Sequence, residues 1–248
     1  MVAARRTGGY AELTLEAPAA AARARPGQFV TLRVGVEPFW RRPYSISDAA
    51  DGKLVLLVKP VGPGSRAAAS LHRNEVVDLL GPLGRGFDLA GPGAWWLVGG
   101  GYGVAPLRFL ARRLRAAGRD ARVFLGGRCR EDLLLRRALH LTGARLACAT
   151  EDGGFGRRGR VTALLADALA GACRPIRIAA CGPRGMLAEV ARLAAAHRIP
   201  AQVSLEEVMA CGIGVCNGCV VETRAGYQRV CREGPVFAAE DVVWHEGA

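Results

Sequence analysis

Residues 10–90 alternate short apolar runs with polar turns, and the runs end at Pro, Gly or Asp. This pattern is typical of β-strands. The predicted strands are Ala11–Leu15, Phe29–Val34, Leu54–Lys59 and Glu75–Leu80. About six short strands at this spacing indicate a small antiparallel barrel or sandwich, which we assign to residues 1–92. One short helix is predicted near Ser65–His72.

Strand and helix patterns alternate after Gly93. Apolar residues recur at i, i+3, i+4 and i+7 between Leu107 and Leu114, which defines a helix face. Further strands are predicted at Trp95–Val98, Arg122–Leu125, Arg145–Ala149, Ile176–Ala180 and Ala201–Ser204, with helices near Glu131–Leu139, Val161–Leu169 and Gly185–His197. The alternation predicts a parallel, Rossmann-like α/β domain at residues 93–204. Residues 205–248 form a Cys- and Gly-rich tail with little core of its own.

Composition and charge narrow the class of protein. Of the 248 residues, 50% are hydrophobic and 23% are charged, as in ordinary globular proteins. No uncharged apolar run approaches the roughly 18 residues of a membrane span, and the N-terminus lacks the apolar core of a signal peptide. We therefore expect a cytoplasmic protein without a membrane segment. The net charge is +12, but its scattered basic residues are all arginine except Lys53 and Lys59. This indicates compositional bias rather than nucleic-acid binding.

Four of the eight cysteines crowd into the tail. Cys211-x4-Cys216-x2-Cys219 is followed by Cys231, and this order is the plant-type arrangement for a [2Fe–2S] cluster. Four thiolates can also bind zinc, but zinc loops more often show paired C-x2-C spacings. The spacing therefore favours iron–sulfur over zinc.

The other four cysteines lie far apart in the sequence. They are Cys129, Cys148, Cys173 and Cys181. A disulfide scaffold is typical of small secreted chains, and no secretion signal is present. We interpret these four mostly as small buried thiols.

Two segments of the barrel domain combine an arginine, an aromatic ring and a glycine turn. They are Arg42-Pro43-Tyr44-Ser45 and the turn with Lys59, Gly62, Gly64 and Ser65. Free N–H groups, a hydroxyl and a helix N-terminus favour an anion, so a diphosphate fits there with the arginine as a bidentate partner. A flat ring can stack on the tyrosine. An ordinary barrel strand and glycine turn explain the same residues.

A glycine loop, Gly99-Gly100-Gly101-Tyr102-Gly103, lies between a predicted strand and a predicted helix. It lacks the strict G-x-G-x-x-G spacing, and no acidic residue ends the next strand to hold a ribose. Its context indicates a dinucleotide site, with a tight strand-to-helix turn as the alternative. Cys181-Gly182-Pro183 follows a later strand of the same sheet, where ligand-binding loops gather. Cys181 then either faces a cofactor or is a buried thiol.

Together these motifs resemble the ferredoxin–NADP reductase superfamily. The tail segments MACGIGVCNGC (209–219) and YQRVCREGPVF (227–237) are similar to the electron-transfer subunits of class 1B dihydroorotate dehydrogenase. The resemblance covers nearly the whole chain, and it implies FAD in the barrel, NAD(H) in the α/β domain and one [2Fe–2S] cluster on the four tail cysteines. The implied cofactor contacts are Arg42, Pro43, Tyr44, Ser45, Leu57, Val58, Lys59, Gly62, Gly64 and Ser65 for FAD, and Gly100, Gly101, Gly103, Cys181, Gly182 and Pro183 for the nucleotide.

The resemblance also implies a partner. This is a catalytic subunit that binds FMN and oxidises dihydroorotate to orotate in pyrimidine synthesis, in a heterotetramer of two subunits of each kind. A nicotinamide gives up a hydride, whereas a cluster accepts one electron at a time, so the flavin has to lie between them. No orotate site is visible in the sequence, so we expect the chain alone not to oxidise dihydroorotate.

Three questions stay open at this point. The small flavin and iron–sulfur subunits of NADH-dependent ferredoxin:NADP oxidoreductase and of sulfhydrogenase share the same motifs. A zinc-stapled binding module without a redox role is an alternative of another class. NADP can replace NAD if Arg128 and Arg130 meet a 2′-phosphate.

Overall fold

The computed structural model describes residues 3–7, 9–35, 40–172 and 175–245, so Cys173 lies outside the described residues. Six antiparallel strands form the first sheet, in the order β1-β2-β5-β4-β3-β6. The elements of this domain are β1 (Ala3–Thr7), β2 (Tyr10–Glu16), α1 (Pro18–Arg23), β3 (Phe29–Arg33), β4 (Arg42–Ala50), β5 (Lys53–Val58), α2 (Pro63–Ala69) and β6 (Asp78–Leu83). Alternate residues of β5 are fully buried, as the two-residue period of a strand requires.

The second sheet is parallel along most of its length. Its strand order is β10-β9-β8-β7-β11-β12-β15, and helices pack against it. The elements are β7 (Ala94–Gly100), α3 (Ala105–Ala116), β8 (Ala121–Gly127), α4 (Arg136–Leu141), β9 (Arg145–Thr150), β10 (Arg157–Arg158), α5 (Val161–Ala170), β11 (Ile176–Cys181), α6 (Arg184–Ala196) and β12 (Ala201–Ser204). All seven residues of β7 are buried, which explains its continuous apolar run. Both the antiparallel domain and the Rossmann-like domain are confirmed.

Three predicted elements have different bounds in the structure. Helix α2 starts earlier than predicted, because Gly62 caps it and Pro63 suits the first helical position. Strand β6 starts at Asp78 because this residue pairs with Arg33, where β3 ends. The helix predicted at 131–139 is split into a 3-10 turn and α4, because Leu135 takes a left-handed conformation with φ of 55°.

The tail packs on both domains. Strands β13 (Val220–Thr223) and β14 (Gly226–Arg229) form a hairpin, and β15 (Val236–Ala238) adds an antiparallel edge to the parallel sheet beside β12. Most buried apolar side chains of the tail belong to the same core as α5, α6 and β11, whereas Val236 packs in the core around α3 and β7. On the barrel side, the N–H of Arg85 donates to the carbonyl of Gly234 at 2.5 Å.

Ion pairs connect helix α3 with the barrel. Arg108 contacts Glu12 at 2.6 Å, and Arg112 contacts Asp48 at 2.5 Å. Together with the tail, these contacts hold the loops of the second sheet beside β2 and β4. In the described part of the chain, no helix is long and apolar enough to cross a membrane.

Candidate functional site

The hairpin β13–β14 explains how two tail cysteines meet despite eleven intervening residues. Val220 pairs with Arg229 at the open end of the hairpin, so the flanking Cys219 and Cys231 lie side by side. The N–H of Cys231 donates to Sγ of Cys219 at 3.4 Å, and both cysteines are buried. Burial, with the neighbouring thiol of Cys219, raises the pKa of Cys231 to about 12. A bound metal would have to displace that proton.

The other two tail cysteines form a second pair on the preceding loop. Cys211 and Cys216 lie within side-chain hydrogen-bonding range of each other, and Cys216 is exposed. The backbone N–H groups of Val215 and Cys216 both donate to Sγ of Cys211 at 3.4 Å. Although burial opposes it, this backbone donation lowers the pKa of Cys211 to about 6.

The donor set fits an iron–sulfur cluster. In the described residues, no three His, Cys, Asp or Glu side chains converge as a single-metal site would require. The tail thiols instead form two pairs, Cys211 with Cys216 and Cys219 with Cys231. A two-iron cluster with four thiolate ligands needs two such pairs, and backbone N–H groups directed at sulfur tune its potential.

The glycine loop and the Cys181-Gly182-Pro183 loop meet at the carboxyl ends of neighbouring strands. Gly99 of β7 pairs with Cys181 of β11. A Cβ on Gly103 would lie 2.6 Å from the carbonyl oxygen of Cys181, and one on Gly100 would lie 2.9 Å from Cδ of Pro183. The backbones therefore touch only because these positions are glycine. Together they line one wall of a cleft of about 1240 Å³.

The cleft contains most of the predicted nucleotide residues and one from the predicted flavin set. Gly100, Gly101, Gly103, Gly182 and Pro183 all line it. Lys59 also lines it, with its ammonium 5.8 Å from the ring centre of Tyr10 and 5.4 Å from that of Tyr102. Leu57 instead lines a second cavity on the other side of Tyr10. A cleft between two domains, with glycine backbone on one wall, suits a dinucleotide.

Three titratable side chains meet at the floor of the cleft. Cys181 is fully buried, and its Sγ lies 3.9 Å from Oε1 of Glu206. Burial and Glu206 raise the pKa of the thiol, so it stays neutral. Glu206 is exposed to the cleft, yet protein atoms around its carboxyl group reduce its solvation, and this desolvation raises the pKa of that group. The charge of Glu206, with burial, raises the pKa of Tyr102 to about 12.

Glu206 is absent from the residues that the sequence indicated. It lies two positions after the end of strand β12 and reaches Cys181 across 25 positions of the chain. No local motif surrounds it. Its one available signal was its place at the carboxyl end of a predicted parallel strand.

The flavin residues predicted from sequence lie on adjacent barrel segments. Arg42, Tyr44 and Ser45 start β4, and they lie near the end of β5 because Ile46 pairs with Leu56. In the described residues the buried hydroxyl of Tyr44 has no hydrogen-bond partner, and burial raises its pKa to about 12. Such an unpaired group costs about 1–3 kcal/mol, so a polar ligand at this position would stabilise it.

The glycine turn after β5 is organised by Ser65. Its Oγ accepts the N–H groups of Val61 and Gly62, both at 2.9 Å. Arg42 donates to the carbonyl of Trp40 at 2.8 Å. Buried Gly64 lies inside the first turn of α2. These contacts fix the shape of the turn, and the backbone N–H groups at the start of the helix point out of it.

The cluster loop touches the barrel at the strand next to the flavin motif. A Cβ on Gly212 would lie 2.9 Å from Cγ2 of Thr31, which pairs with Pro43 across β3 and β4. Gly212 has φ of 68°, a conformation that favours glycine. The predicted flavin strand therefore lies one strand away from the cysteine loop.

The other arginines and cysteines considered from the sequence lie at the rim of the cleft or away from it. Arg128 forms an ion pair with Asp132 at 3.3 Å at the rim of the cleft, whereas Arg130 stacks on Phe155. Cys129 and Cys148 are half-buried rather than buried, so the buried-thiol interpretation is wrong for these two. Neither lies in the tail.

Two family models match the chain. One, the iron–sulfur cluster binding domain of dihydroorotate dehydrogenase B, matches residues 206–243. The other, an oxidoreductase NAD-binding domain, matches residues 97–192. These ranges contain the cysteine pairs and the glycine loop respectively.

Relatives align along almost the full chain. A protein of Enterococcus faecalis named dihydroorotate dehydrogenase B (NAD(+)), electron transfer subunit, is 38% identical over 244 residues, covering 94% of this chain and 92% of that protein. A protein of Desulforamulus reducens with the same name is 36% identical over 241 residues, with the same coverage.

Among solved structures, an NADH-dependent reduced ferredoxin–NADP oxidoreductase has a TM-score of 0.88 at 27% identity, covering 98% of this chain and 88% of that one. A ferredoxin–NADP⁺ reductase of Neisseria gonorrhoeae, solved with FAD and NADP, has a TM-score of 0.60 at 18% identity and covers 77% of this chain and 86% of that one. The second likeness concerns the fold alone.

Proposed function

The chain belongs to the family of electron transfer subunits of dihydroorotate dehydrogenase B (NAD(+)), and from this premise we propose how its residues divide the work. It is an oxidoreductase component that carries FAD and an iron–sulfur cluster and exchanges electrons with NAD(H). The family also implies a catalytic partner subunit. Our proposal concerns the residues at each centre, the electron path and the assembly.

The contact between Gly212 and Thr31 is the observation that carries the proposed path. The flavin residues Arg42, Tyr44, Ser45 and Lys59 lie between this contact and the nucleotide cleft. Flavin chemistry supplies the change from two-electron to one-electron transfer that nicotinamide and cluster require. We therefore propose the order nicotinamide, FAD, cluster and partner flavin.

Each group of residues has a positioning task in this proposal. The start of α2 and Arg42 bind the flavin diphosphate, and Tyr44 contacts the flavin with its unpaired hydroxyl. The glycines of the loop admit the dinucleotide closely because they carry no side chains. Glu206 and Tyr102 line the nicotinamide end with Cys181 buried behind them, and the four tail cysteines bind the cluster.

We propose that the catalytic subunit docks on the cluster side of the tail. Cys216 is exposed there, and so are the apolar side chains of Ile213 and Val215, at 48% and 73%. Exposed apolar residues next to a redox centre fit a protein interface, which would shorten the distance to the partner's FMN. We further propose two subunits of each kind, and a cytoplasmic location, where thiols stay reduced.

Reconstitution tests the function directly. The chain alone should pass electrons from NADH to an artificial dye but should not oxidise dihydroorotate. Mixed with a class 1B catalytic subunit, it should link dihydroorotate oxidation to NAD⁺ reduction, measured by absorbance at the NADH band. If neither the mixture nor a co-expressed complex reduces NAD⁺, the assigned partner is wrong.

The fold similarity to the NADH-dependent ferredoxin–NADP oxidoreductase favours a second candidate, a subunit of that kind of enzyme. Sequence identity is higher to the dihydroorotate dehydrogenase relatives, at 36% and 38% against 27%, although they cover 94% of this chain and the oxidoreductase structure covers 98%. The same reconstitution separates the two, because the second candidate predicts coupling to ferredoxin and none to dihydroorotate.

Glu206 provides a pH prediction. Its folded pKa is raised, so it is neutral over a wider pH range than an ordinary carboxyl group and ionises as pH rises above that range. A nicotinamide ring becomes positive when it gives up a hydride, and an ionised Glu206 would stabilise this charge. NADH–dye reduction should therefore accelerate as pH rises through this ionisation, and Glu206→Gln should remove the step.

The matched control is Glu240→Gln, which changes another carboxylate of the cleft. This variant should keep the pH step. A Glu206→Gln enzyme with an unchanged pH profile would remove Glu206 from the nicotinamide end.

A further inference from the structure

Arg229 connects the two halves of the cysteine site. It is the last residue of β14 and lies two positions before Cys231. Its Nη1 donates to the carbonyl of Gly214, on the loop between Cys211 and Cys216, at 2.9 Å. One guanidinium therefore joins the loop with the first cysteine pair to the hairpin with the second.

Glu233 fixes the orientation of this guanidinium. The Nη2 of Arg229 donates to Oε1 of Glu233 at 2.6 Å, and its Nε donates to Oε2 at 3.0 Å. The same Oε2 accepts the backbone N–H of Arg229 at 2.8 Å. A two-point contact between arginine and carboxylate restricts rotation more than a single bond does, so the side chain is held in place before any cluster binds.

The position of the charge matters as well as the contacts. The guanidinium, carried two positions before Cys231, is anchored on the Gly214 carbonyl of the first cysteine loop, so its positive charge acts on Cys231 and on the adjoining Cys219. These two cysteines are buried, which weakens the screening of that interaction by water. A cluster becomes more negative by one charge when it is reduced, so a fixed cation beside it stabilises the reduced form.

We propose that Arg229 is a positioning residue for the cluster, which holds the two cysteine pairs in register and raises the reduction potential of the cluster through its charge. This inference rests on the proposed function only in requiring that the four tail cysteines hold a cluster. It does not depend on the partner subunit or on NADH.

Two substitutions separate the charge of Arg229 from its geometry. Arg229→Gln removes both, whereas Arg229→Lys keeps a cation but loses the planar two-point contact. The purified holoprotein is titrated with dithionite and redox dyes, and the reduced cluster is followed by EPR. We expect a more negative midpoint potential in Arg229→Gln and a value near the parent in Arg229→Lys.

Release of iron to a chelator measures the geometric part. Both Arg229 variants should lose iron about tenfold faster than the parent, as expected for one lost charge-assisted hydrogen bond. Glu233→Gln keeps the arginine but weakens its anchor, so it should release iron at an intermediate rate. The control Arg157→Gln breaks an exposed ion pair with Asp167 on the nucleotide domain and should change neither quantity.

The outcomes distinguish the effect of the arginine's charge on the cluster potential from its effect on the geometry of the cysteine site. A fully loaded Arg229→Gln protein with the parent potential and the parent release rate would overturn this proposal. If Arg229→Gln retains no iron on purification, the role of the charge is judged from the midpoint potential of Arg229→Lys. A large shift of that potential would refute the role of charge, because the lysine keeps the cation. A parent protein without iron would instead refute the cluster assignment and thus the proposed function.

Discussion

Changing Cys231 to alanine should remove the iron from the protein and abolish coupling to the catalytic subunit. Cys231 is buried beside Cys219 at the base of the hairpin, and no described His, Asp or Glu joins the tail cysteines there to replace it. The flavin residues and the glycine loop lie outside the tail, so NADH–dye reduction should persist. Iron analysis and the two assays in parallel measure the effect.

Cys148→Ala is the matched control for this experiment. Cys148 is also a partly buried free thiol, but it lies on β9 away from the tail. It should keep full iron and full coupling. Full iron content in Cys231→Ala would overturn the ligand set, and full coupling in an iron-free variant would overturn the relay order.

Changing Gly103 to alanine should strongly impair the use of NADH. The new Cβ would lie 2.6 Å from the carbonyl oxygen of Cys181 and 2.7 Å from Cα of Gly182, and both neighbours are backbone atoms. One loop must therefore move, and it carries the nucleotide-binding wall of the cleft. Displacement of a binding wall by about 1 Å can cost about 100-fold in rate, so we expect a loss of at least tenfold in kcat/KM for NADH.

Gly185→Ala provides the comparison in the same cleft. Gly185 lines the cleft at the start of α6, and a Cβ there meets no atom within 4 Å. This variant should keep kcat/KM within about twofold, because the added methyl group displaces no neighbouring atom. Flavin content and iron content, measured for both variants, show whether the chain has folded. A folded Gly103→Ala protein with parent kinetics would refute the close-packed loop.

Much of this architecture was predictable because it is encoded by local patterns. The alternating residues of β5 and the helix face of α3 reflect which side of each element is buried, and that period is visible along the chain. The spacing of Cys211, Cys216 and Cys219 is local for the same reason, because one short loop holds three sulfur atoms.

Element boundaries were less predictable. Strand β6 begins where its partner β3 ends, and α4 begins after Leu135 adopts a left-handed backbone conformation. The first boundary depends on a neighbour that is distant in sequence, and the second on a left-handed conformation that a leucine rarely adopts, so propensity contains neither. The edge strand β15 is a further example, since three residues of the tail form a strand only because β12 offers an unpaired edge.

The amino-acid sequence by itself determined the fold class, the identity of the four tail cysteines as a set and the glycine loop, because spacing and periodicity carry this information. Only the tertiary structure decided that Glu206 lies next to Cys181, that Arg229 spans both cysteine pairs and that the loop at Gly212 packs on Thr31. The physical reason is that these contacts join segments whose separation in the chain is unrelated to any local repeat. They form when the hydrophobic cores bring the antiparallel domain, the Rossmann-like domain and the tail together.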